Sequence, residues 1–360
     1  MKELIKALTE AFGPSGHEDA VREIIRKHIT GHTDEIRTDA LGNLIALKKG
    51  QPQKDIEARK IMLAAHMDEI GVIVSYITEE GFLRFAPVGG VYSLTLLGGR
   101  VQFADGTFGT IGQEKPEKPD EFPTIAKMFI DVGALDKEHL TRRVGDVASF
   151  VRPFADLGQR LIAKAFDNRI SCAVLIQTLL ELDTTPHDVC FVFTVQEEVG
   201  LRGAQTSAFG VEPNVAIAVD VTTTGDTPEA HPMAVSLGEG PAIKVKDRGM
   251  LAHIGVKNWM IATAERLGLP YQLEVLERGT TDGTAIQLSR AGVATGVLSI
   301  PCRYVHSPSE MVDYGDVQNA VKLLLGLLSG PISLEWGALS RYTGVPGEKA
   351  PPPTLGGIAV

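Results

Sequence analysis

The stretch KIMLAAHMDEIG, residues 60–71, decides the fold. It is an apolar run that closes on ionisable residues. A strand buried on both faces reads this way, and its polar end marks the cleft of an α/β sheet. The same texture recurs downstream. DVCFVFTVQEE (188–198) and NVAIAVDVT (214–222) predict strands, and SCAVLIQTLLEL (171–182) and KNWMIATAERLG (257–268) predict helices. YQLEVLE (271–277), GTAIQLSRAG (283–292) and ATGVLSIPCR (294–303) predict strand, helix and strand, and VQNAVKLLLGLL (317–328) a closing helix. Such alternation requires a mixed or parallel sheet covered by helices. Upstream, Leu4, Ile5 and Leu8 fall at helical spacing, as do Val21, Ile24, Ile25 and Ile29. They predict two helices broken at GPSG (13–16), followed by a strand in LGNLIALKKG (41–50).

Between Gly71 and Gly158 the texture changes. GVIVSYI, GFLRFAPV and RVQFADGTFGTIG are short alternating stretches separated by turns. They predict a small β-barrel or sandwich, with one helix from Asp136 to Arg143 and a polar, Pro-rich loop at 113–123. The expected organisation is an α/β chain with a mixed-sheet α/β/α domain made of residues 1–70 and 159–340. A β-rich, barrel-like domain at 71–158 interrupts it, and a Pro/Gly-rich tail occupies 341–360.

Composition narrows the function classes. The 360 residues carry 35 Lys and Arg against 45 Asp and Glu, a formal net charge of −10. That balance argues against a nucleic-acid or anionic-membrane binder, which would show a basic face. No apolar run reaches the ~18 residues of a membrane span. The N-terminus MKELIKALTEAFG has no long apolar segment of the secretory type. Cys172, Cys190 and Cys302 are an odd count without a CxxC pair. They fit a reducing cytoplasm better than a disulfide framework or a thiolate zinc site.

Five segments carry acids and histidines to the ends of predicted elements: HMDEIG (66–71), AFDNR (165–169), VQEEVGLRGA (195–204), AVDVTTTGD (218–226) and PCRYVHSPSEM (301–311). In an α/β sheet the C-terminal strand ends form one rim, so distant segments can meet there. His66 and Asp68, two apart on an extended segment, suit a metal-bound imidazole held by a carboxylate. An isolated surface histidine beside acids fits HxD as well. Glu197 and Glu198 end an apolar strand. Two carboxylates at one site repel unless one is protonated, solvated or bound to a cation. A metal ligand beside a general base explains the adjacency, whereas the paired acids of a glycoside hydrolase would need the strand to have turned. Asp167 and Asp220 taken singly read as cap or turn residues, Asp167 as a cap for the helix from 169. A lone loop histidine such as His306 is ordinarily structural. KDRG (246–249) and RGTTDGTA (278–285) bring charges to strand ends, as pocket lining or as turns. Cys302, near His306, lacks a thiolate-activating motif and reads as structural.

Taken together, HMDEIG, AFDNR, VQEEVGLRGA, VDVT, KDRG and RYVHSPSEM make the chain resemble the di-zinc aminopeptidases of the TET type. These are also called glutamyl aminopeptidases and endoglucanases, and belong to the clan MH metallopeptidases. The resemblance runs from GPSG to the helix near 328 and includes the placement of the insert. It implies that Asp167 bridges two metal ions, that His66 and Asp220 complete one site, and that Glu198 and His306 complete the other. It implies Glu197 as general base and Asp68 as the residue orienting His66. It also implies an α/β sandwich whose insert supports dimers and often a tetrahedral dodecamer.

The chemistry of those residues agrees with the resemblance. Each ion receives three N or O ligands, counting Asp167 twice, and a water completes an open zinc site. Zn²⁺ is the first choice; Co²⁺ and Mn²⁺ suit the same donors. Up to four negative charges face four positive ones, so the cluster repels itself without metal. The expected protein is a cytoplasmic, metal-dependent aminopeptidase acting on peptides with a free N-terminus. It is expected to assemble as a homo-oligomer through the edges and apolar faces of the insert. The alternatives are a hydrolase of acylated or otherwise blocked N-termini, a glycoside hydrolase built on Glu197, and a non-catalytic assembly protein.

Overall fold

The computed structural model describes residues 1–118 and 122–334. The tail expected at 341–360 and the middle of the 113–123 loop lie outside the described residues. The main sheet has eleven strands. Its path runs Glu35–Thr38, Leu44–Lys48, Asp188–Thr194, Lys60–His66, Val215–Thr222, Ala294–Arg303, Glu310–Asp313, Arg160–Ala163 and Ala155–Asp156. Ala242–Lys246 and Gln272–Val275 branch from Ala294–Arg303. Four central strands are parallel: Lys60–His66 lies between Asp188–Thr194 and Val215–Thr222, and the last pairs with Ala294–Arg303.

The alternation of side chains along a strand explains why KIMLAAH needs cover on both faces. Ile61, Leu63 and Ala65 enter one core, shared with the helices Lys2–Glu10, Asp19–Ile29 and Phe166–Glu181. Met62 and Ala64 enter the other, with Ala204 and Ala208 of the helix Arg202–Val211 and Ile286 of the helix Asp282–Gln287. The remaining long helices, Ile254–Leu267 and Tyr314–Leu328, join the first core. The parallel register places Thr194 beside His66 and Asp220 beside Ser299. The chain therefore leaves the central strands along one rim, as the α/β reading requires.

The insert is a closed barrel of six strands in the order Gly71–Ile77, Leu83–Val88, Met128–Asp131, Phe108–Gln113, Arg100–Phe103 and Val147–Phe150. The helix expected over Asp136–Arg143 is absent. Asp136 Oδ1 accepts the backbone N–H groups of Glu138 and His139 as a helix cap would, but only one turn follows, closed by the Leu140 N–H on the Lys137 carbonyl, before the chain extends. The strand Ala155–Asp156 already belongs to the main sheet.

One buried network joins the barrel, the N-terminal helices and the rim. Arg169 is fully buried and uses all five of its N–H donors. They reach the carbonyls of Met67, Leu8, Ala11 and Gly13 and the carboxylate of Glu69, at 2.5–3.0 Å. Glu69 also accepts from Lys164 Nζ at 2.6 and 2.8 Å and from Ser149 Oγ of the barrel at 3.0 Å. Burial pulls Lys164 down to about 8 despite the Glu69 charge. Arg169→Ala strands four carbonyls and half of an ion network. A loss of about 3–5 kcal/mol is expected, read from urea unfolding of the metal-free protein. A loss below about 1 kcal/mol, the worth of one ordinary hydrogen bond, would show that other donors replace the guanidinium.

Candidate metal centre

All seven site residues expected from the sequence meet at this rim. His66 ends its strand and is 1% exposed. Its Nε2 lies 3.1 Å from Asp167 Oδ1, 3.8 Å from Asp220 Oδ1 and 3.9 Å from Glu197 Oε2. Its Nδ1 lies 3.4 Å from Asp68 Oδ1 and 3.1 Å from the Asp68 carbonyl. His306 Nε2 sits 3.2 Å from Asp167 Oδ2 and 3.2 Å from Glu198 Oε2. Asp167 therefore turns one carboxylate oxygen to each imidazole.

Local backbone explains this placement. Asp167 stands at a kink ahead of the regular helix, with φ −74° and ψ 101°, and its carboxylate oxygens face the two imidazoles. The Asp167 N–H donates to Glu310 Oε2 at 2.9 Å, and the His306 N–H donates to Glu310 Oε1 at 2.9 Å. One buried glutamate thus sets the chain on either side of the pair. Asp68, beside His66, performs a similar service. Its carboxylate accepts the N–H groups of Glu197 and Glu198, at 3.0 and 3.2 Å, and the hydroxyl of Ser15 at 2.6 Å.

The electrostatics follow from burial. Burial, with the carboxylates of Asp220 and Glu198 beside it, holds Glu197 well above the usual range, against the pull of His66. Burial also raises Asp220 and Glu198, each facing the Asp167 charge. Asp167 goes the other way. Burial opposes its ionisation, but hydrogen bonds from His306 and His66 take it far below the carboxylate range. His306 is pushed up to about 12: burial disfavours its charge, and Asp167 and Glu198 outweigh that. Burial disfavours a charged His66 too, yet the Glu197 charge and the bonds to Asp167 and Asp68 raise it well above its ordinary value.

Among the described residues, two overlapping groups have ligand atoms within 4.8 Å of one another: His66, Asp167 and Glu198, and His66, Glu197 and Asp220. The donors are nitrogen and oxygen only. No thiolate competes, since burial raises Cys172 to about 12, Cys190 to about 11 and Cys302 well above its ordinary value. Hard or borderline divalent ions suit such a set. The excess of buried negative charge fits cations of that kind.

Two further acids at the site had no assigned role in the sequence reading. Glu310 stands four residues after His306 in the string RYVHSPSEM, and its signal was that spacing. Asp282 lies in RGTTDGTA, buried against the Thr194 hydroxyl and close enough to raise Glu197 and Asp220 electrostatically. Burial lifts Asp282 to about 6. KDRG builds a turn, with Asp247 Oδ1 accepting the N–H groups of Gly249 and Met250. Cys302 is buried and its thiol points to the Arg303 carbonyl, a structural placement.

Comparison with known proteins matches this arrangement to one family. Residues 42–323 fit the family model described as M42 glutamyl aminopeptidase. The chain is 50% identical over 327 residues to a protein of Acetivibrio thermocellus named "Putative aminopeptidase", covering 90% of this chain and 97% of that one. It is 36% identical over 341 residues to the lysyl aminopeptidase of Pyrococcus furiosus, covering 91% and 96%. Among solved structures it resembles an aminopeptidase of Desulfurococcus kamchatkensis, with a TM-score of 0.87, 42% identity and coverage of 96% and 98%. It also resembles the TET1 peptidase of Pyrococcus horikoshii, described as assembling into a tetrahedron or a large octahedral shell, with a TM-score of 0.80, 33% identity and coverage of 91% and 99%. The chain therefore belongs to the M42 glutamyl aminopeptidase family, and it is a metallo-aminopeptidase.

Proposed function

We propose that this chain removes the first residue of peptides with a free N-terminus, using two divalent ions and Glu197 as general base. The observation that carries the reading is the posture of Asp167. One of its oxygens faces His66 and the other His306, the geometry of a carboxylate shared by two cations. His66 and Asp220 would hold one ion, Glu198 and His306 the other, with Asp167 common to both. Zn²⁺ is the first choice, and Co²⁺ or Mn²⁺ are alternatives. When bound, such ions polarise the scissile carbonyl and make water a nucleophile near neutral pH.

The protein's own groups do the rest. Glu197 stands 3.9 Å from His66 Nε2, at the edge of the ligand set, and would take the proton from water. It would later deliver that proton to the leaving amine. Asp68 would hold the His66 ring through Nδ1 while fixing the turn that carries Glu197 and Glu198. The rim carboxylates offer a partner for the free α-amino group, which restricts cleavage to the first bond.

We infer assembly as well. The barrel exposes Tyr92, Leu94, Leu97, Phe108 and Leu135, large apolar side chains of the kind that subunit contacts cover. Closure of the barrel removes the free strand edges expected from the sequence, so its apolar surface is the route that remains. The shell named for the Pyrococcus horikoshii relative supports the same direction. The free buried cysteines suit a reducing cytoplasm. No helix among the described residues is long and apolar enough to cross a membrane.

Three measurements test these readings. A panel of aminoacyl-nitroanilides and matched free and N-acetylated peptides should show cleavage of free N-termini only, abolished by chelator and restored by Zn²⁺, Co²⁺ or Mn²⁺. The family name and the Pyrococcus furiosus relative carry opposite first-residue charges, so both glutamyl and lysyl substrates belong in the panel. Cleavage of the acetylated peptide would overturn the free-amine requirement, and activity on glucan without metal would overturn the reaction class. Glu197→Gln and Asp167→Asn should fail differently. The first should keep both ions and lose ~10²–10⁴-fold in turnover. The second should lose metal along with activity, because a neutral amide does not neutralise two cations. Near-normal turnover in Glu197→Gln, or two tightly held ions in Asp167→Asn, removes that role. Light scattering at micromolar concentration should give a mass well above the chain's 38.6 kDa. A monomer value refutes assembly and leaves the site, which one chain supplies, untouched.

A further inference from the structure

We infer that the inserted barrel forms one wall of the metal centre, and that Gly90 is a positioning residue for His306. The inference rests on the two-metal reading above. The barrel strand Leu83–Val88 runs directly into Gly89 and Gly90, which lie against Glu198 and His306. A Cβ on Gly90 would stand 2.5 Å from His306 Nδ1 and 2.8 Å from Cε1. A Cβ on Gly89 would stand 3.1 Å from Glu198 Cβ and 3.2 Å from its Oε2.

Gly89 has a φ of +80°, so its own backbone already favours glycine. Gly90 has no such φ. What excludes a side chain at Gly90 is the imidazole. That ring, 27% exposed, is held on its other sides. Its Nε2 edge faces Asp167 and Glu198 at 3.2 Å each, its backbone N–H is held by Glu310, and its own φ is 62°. The barrel backbone closes the Nδ1 edge. Ordinary contact begins at 3.4 Å, so a methyl group at Gly90 displaces the ring by about 0.9 Å, from 3.4 − 2.5. Ligand distances in metal sites hold within about 0.2 Å. The displacement exceeds that tolerance several-fold, and it acts on the ion shared by Glu198 and His306. The ion shared by His66 and Asp220 is spared.

The test is metal affinity, measured by competition with a chromogenic chelator and by metal content after dialysis at graded free Zn²⁺. Gly90→Ala should retain one ion at close to wild-type affinity and bind the other roughly 10–100-fold more weakly. His306→Ala should lose the same ion. The double variant Gly90→Ala/His306→Ala should match His306→Ala alone, because the clash has lost its partner. Two ions at wild-type affinity in Gly90→Ala overturn the inference. So does a loss of both ions, or of the folded circular dichroism signal, that persists in the double variant, since the methyl group would then act on the fold and not on His306. A wild-type chain that binds fewer than two ions fails the two-metal reading instead. In that case, unchanged metal content in Gly90→Ala overturns the inference separately.

Discussion

Four carboxylates, Asp167, Glu197, Glu198 and Asp220, share one largely buried space with two imidazoles, and the surrounding structure answers to that concentration of charge. Burial pushes three of them toward the neutral form. Asp167 alone is driven the other way, because it alone meets both imidazoles. A water-filled surface would relax this conflict by solvation; an interior cannot. Cations are the economical resolution, which is why a set of nitrogen and oxygen donors this dense reads as a metal centre. Parallel strands make the density possible, since they deliver His66, Asp220 and the turn after Thr194 to a single rim.

The second layer keeps those groups from flying apart. Asp68, Glu310 and Glu69 each bind two or more separate segments, and each does so from a buried position. Asp68 joins the His66 strand to the 197–198 turn. Glu310 joins the Asp167 loop to the His306 loop. Glu69, with Arg169, joins the rim to the first helix and to the barrel. The insert is consequently tied to the metal centre by its Ser149 contact as well as by its strand connections.

The fold was legible where burial imposes a pattern on consecutive residues. KIMLAAH, VCFVF and VAIAV must be apolar at nearly every position because helices cover both faces of the sheet. The segment 136–143 makes one turn and not a helix: the Leu140 N–H reaches the Lys137 carbonyl, and Arg142 beyond it pairs with Asp105 of the barrel, a partner that local spacing does not encode. The site was legible through its strings, above all VQEEVGLRGA and RYVHSPSEM, and through the resemblance they carry. The supporting residues were not. Ser15, Glu69, Arg169 and Asp282 act on partners far away in the chain, and no local spacing encodes a contact such as Arg169 to Leu8, 161 residues apart. Gly90 is similar: a glycine in a glycine-rich insert is unremarkable until a ring is found against it.

Backbone conformation gives an independent sign that these contacts serve the site. Of nine non-glycine residues with positive φ among the described residues, four, Ala165, Gln196, Tyr304 and His306, lie at the site with φ between 54° and 62°, a region that costs a residue bearing a Cβ. Each is, or lies within two residues of, a proposed ligand or the base. Strain of this kind costs on the order of 1–3 kcal/mol per residue and persists only where surroundings over-determine it. The surroundings here are identifiable. Glu18, itself buried, accepts the Gln196 N–H at 3.1 Å; Glu310 holds the His306 N–H; the Ala165 carbonyl takes the Arg169 N–H at 3.2 Å. The acids that fix these bends are buried, so each adds its own desolvation cost to the strain it maintains. A fold optimised for stability alone would relieve both at once, with glycine at the bends and apolar residues beneath them. That the chain keeps Gln196 and His306 in left-handed conformations on buried carboxylates argues that the directions of the side chains beside them are what the local structure holds.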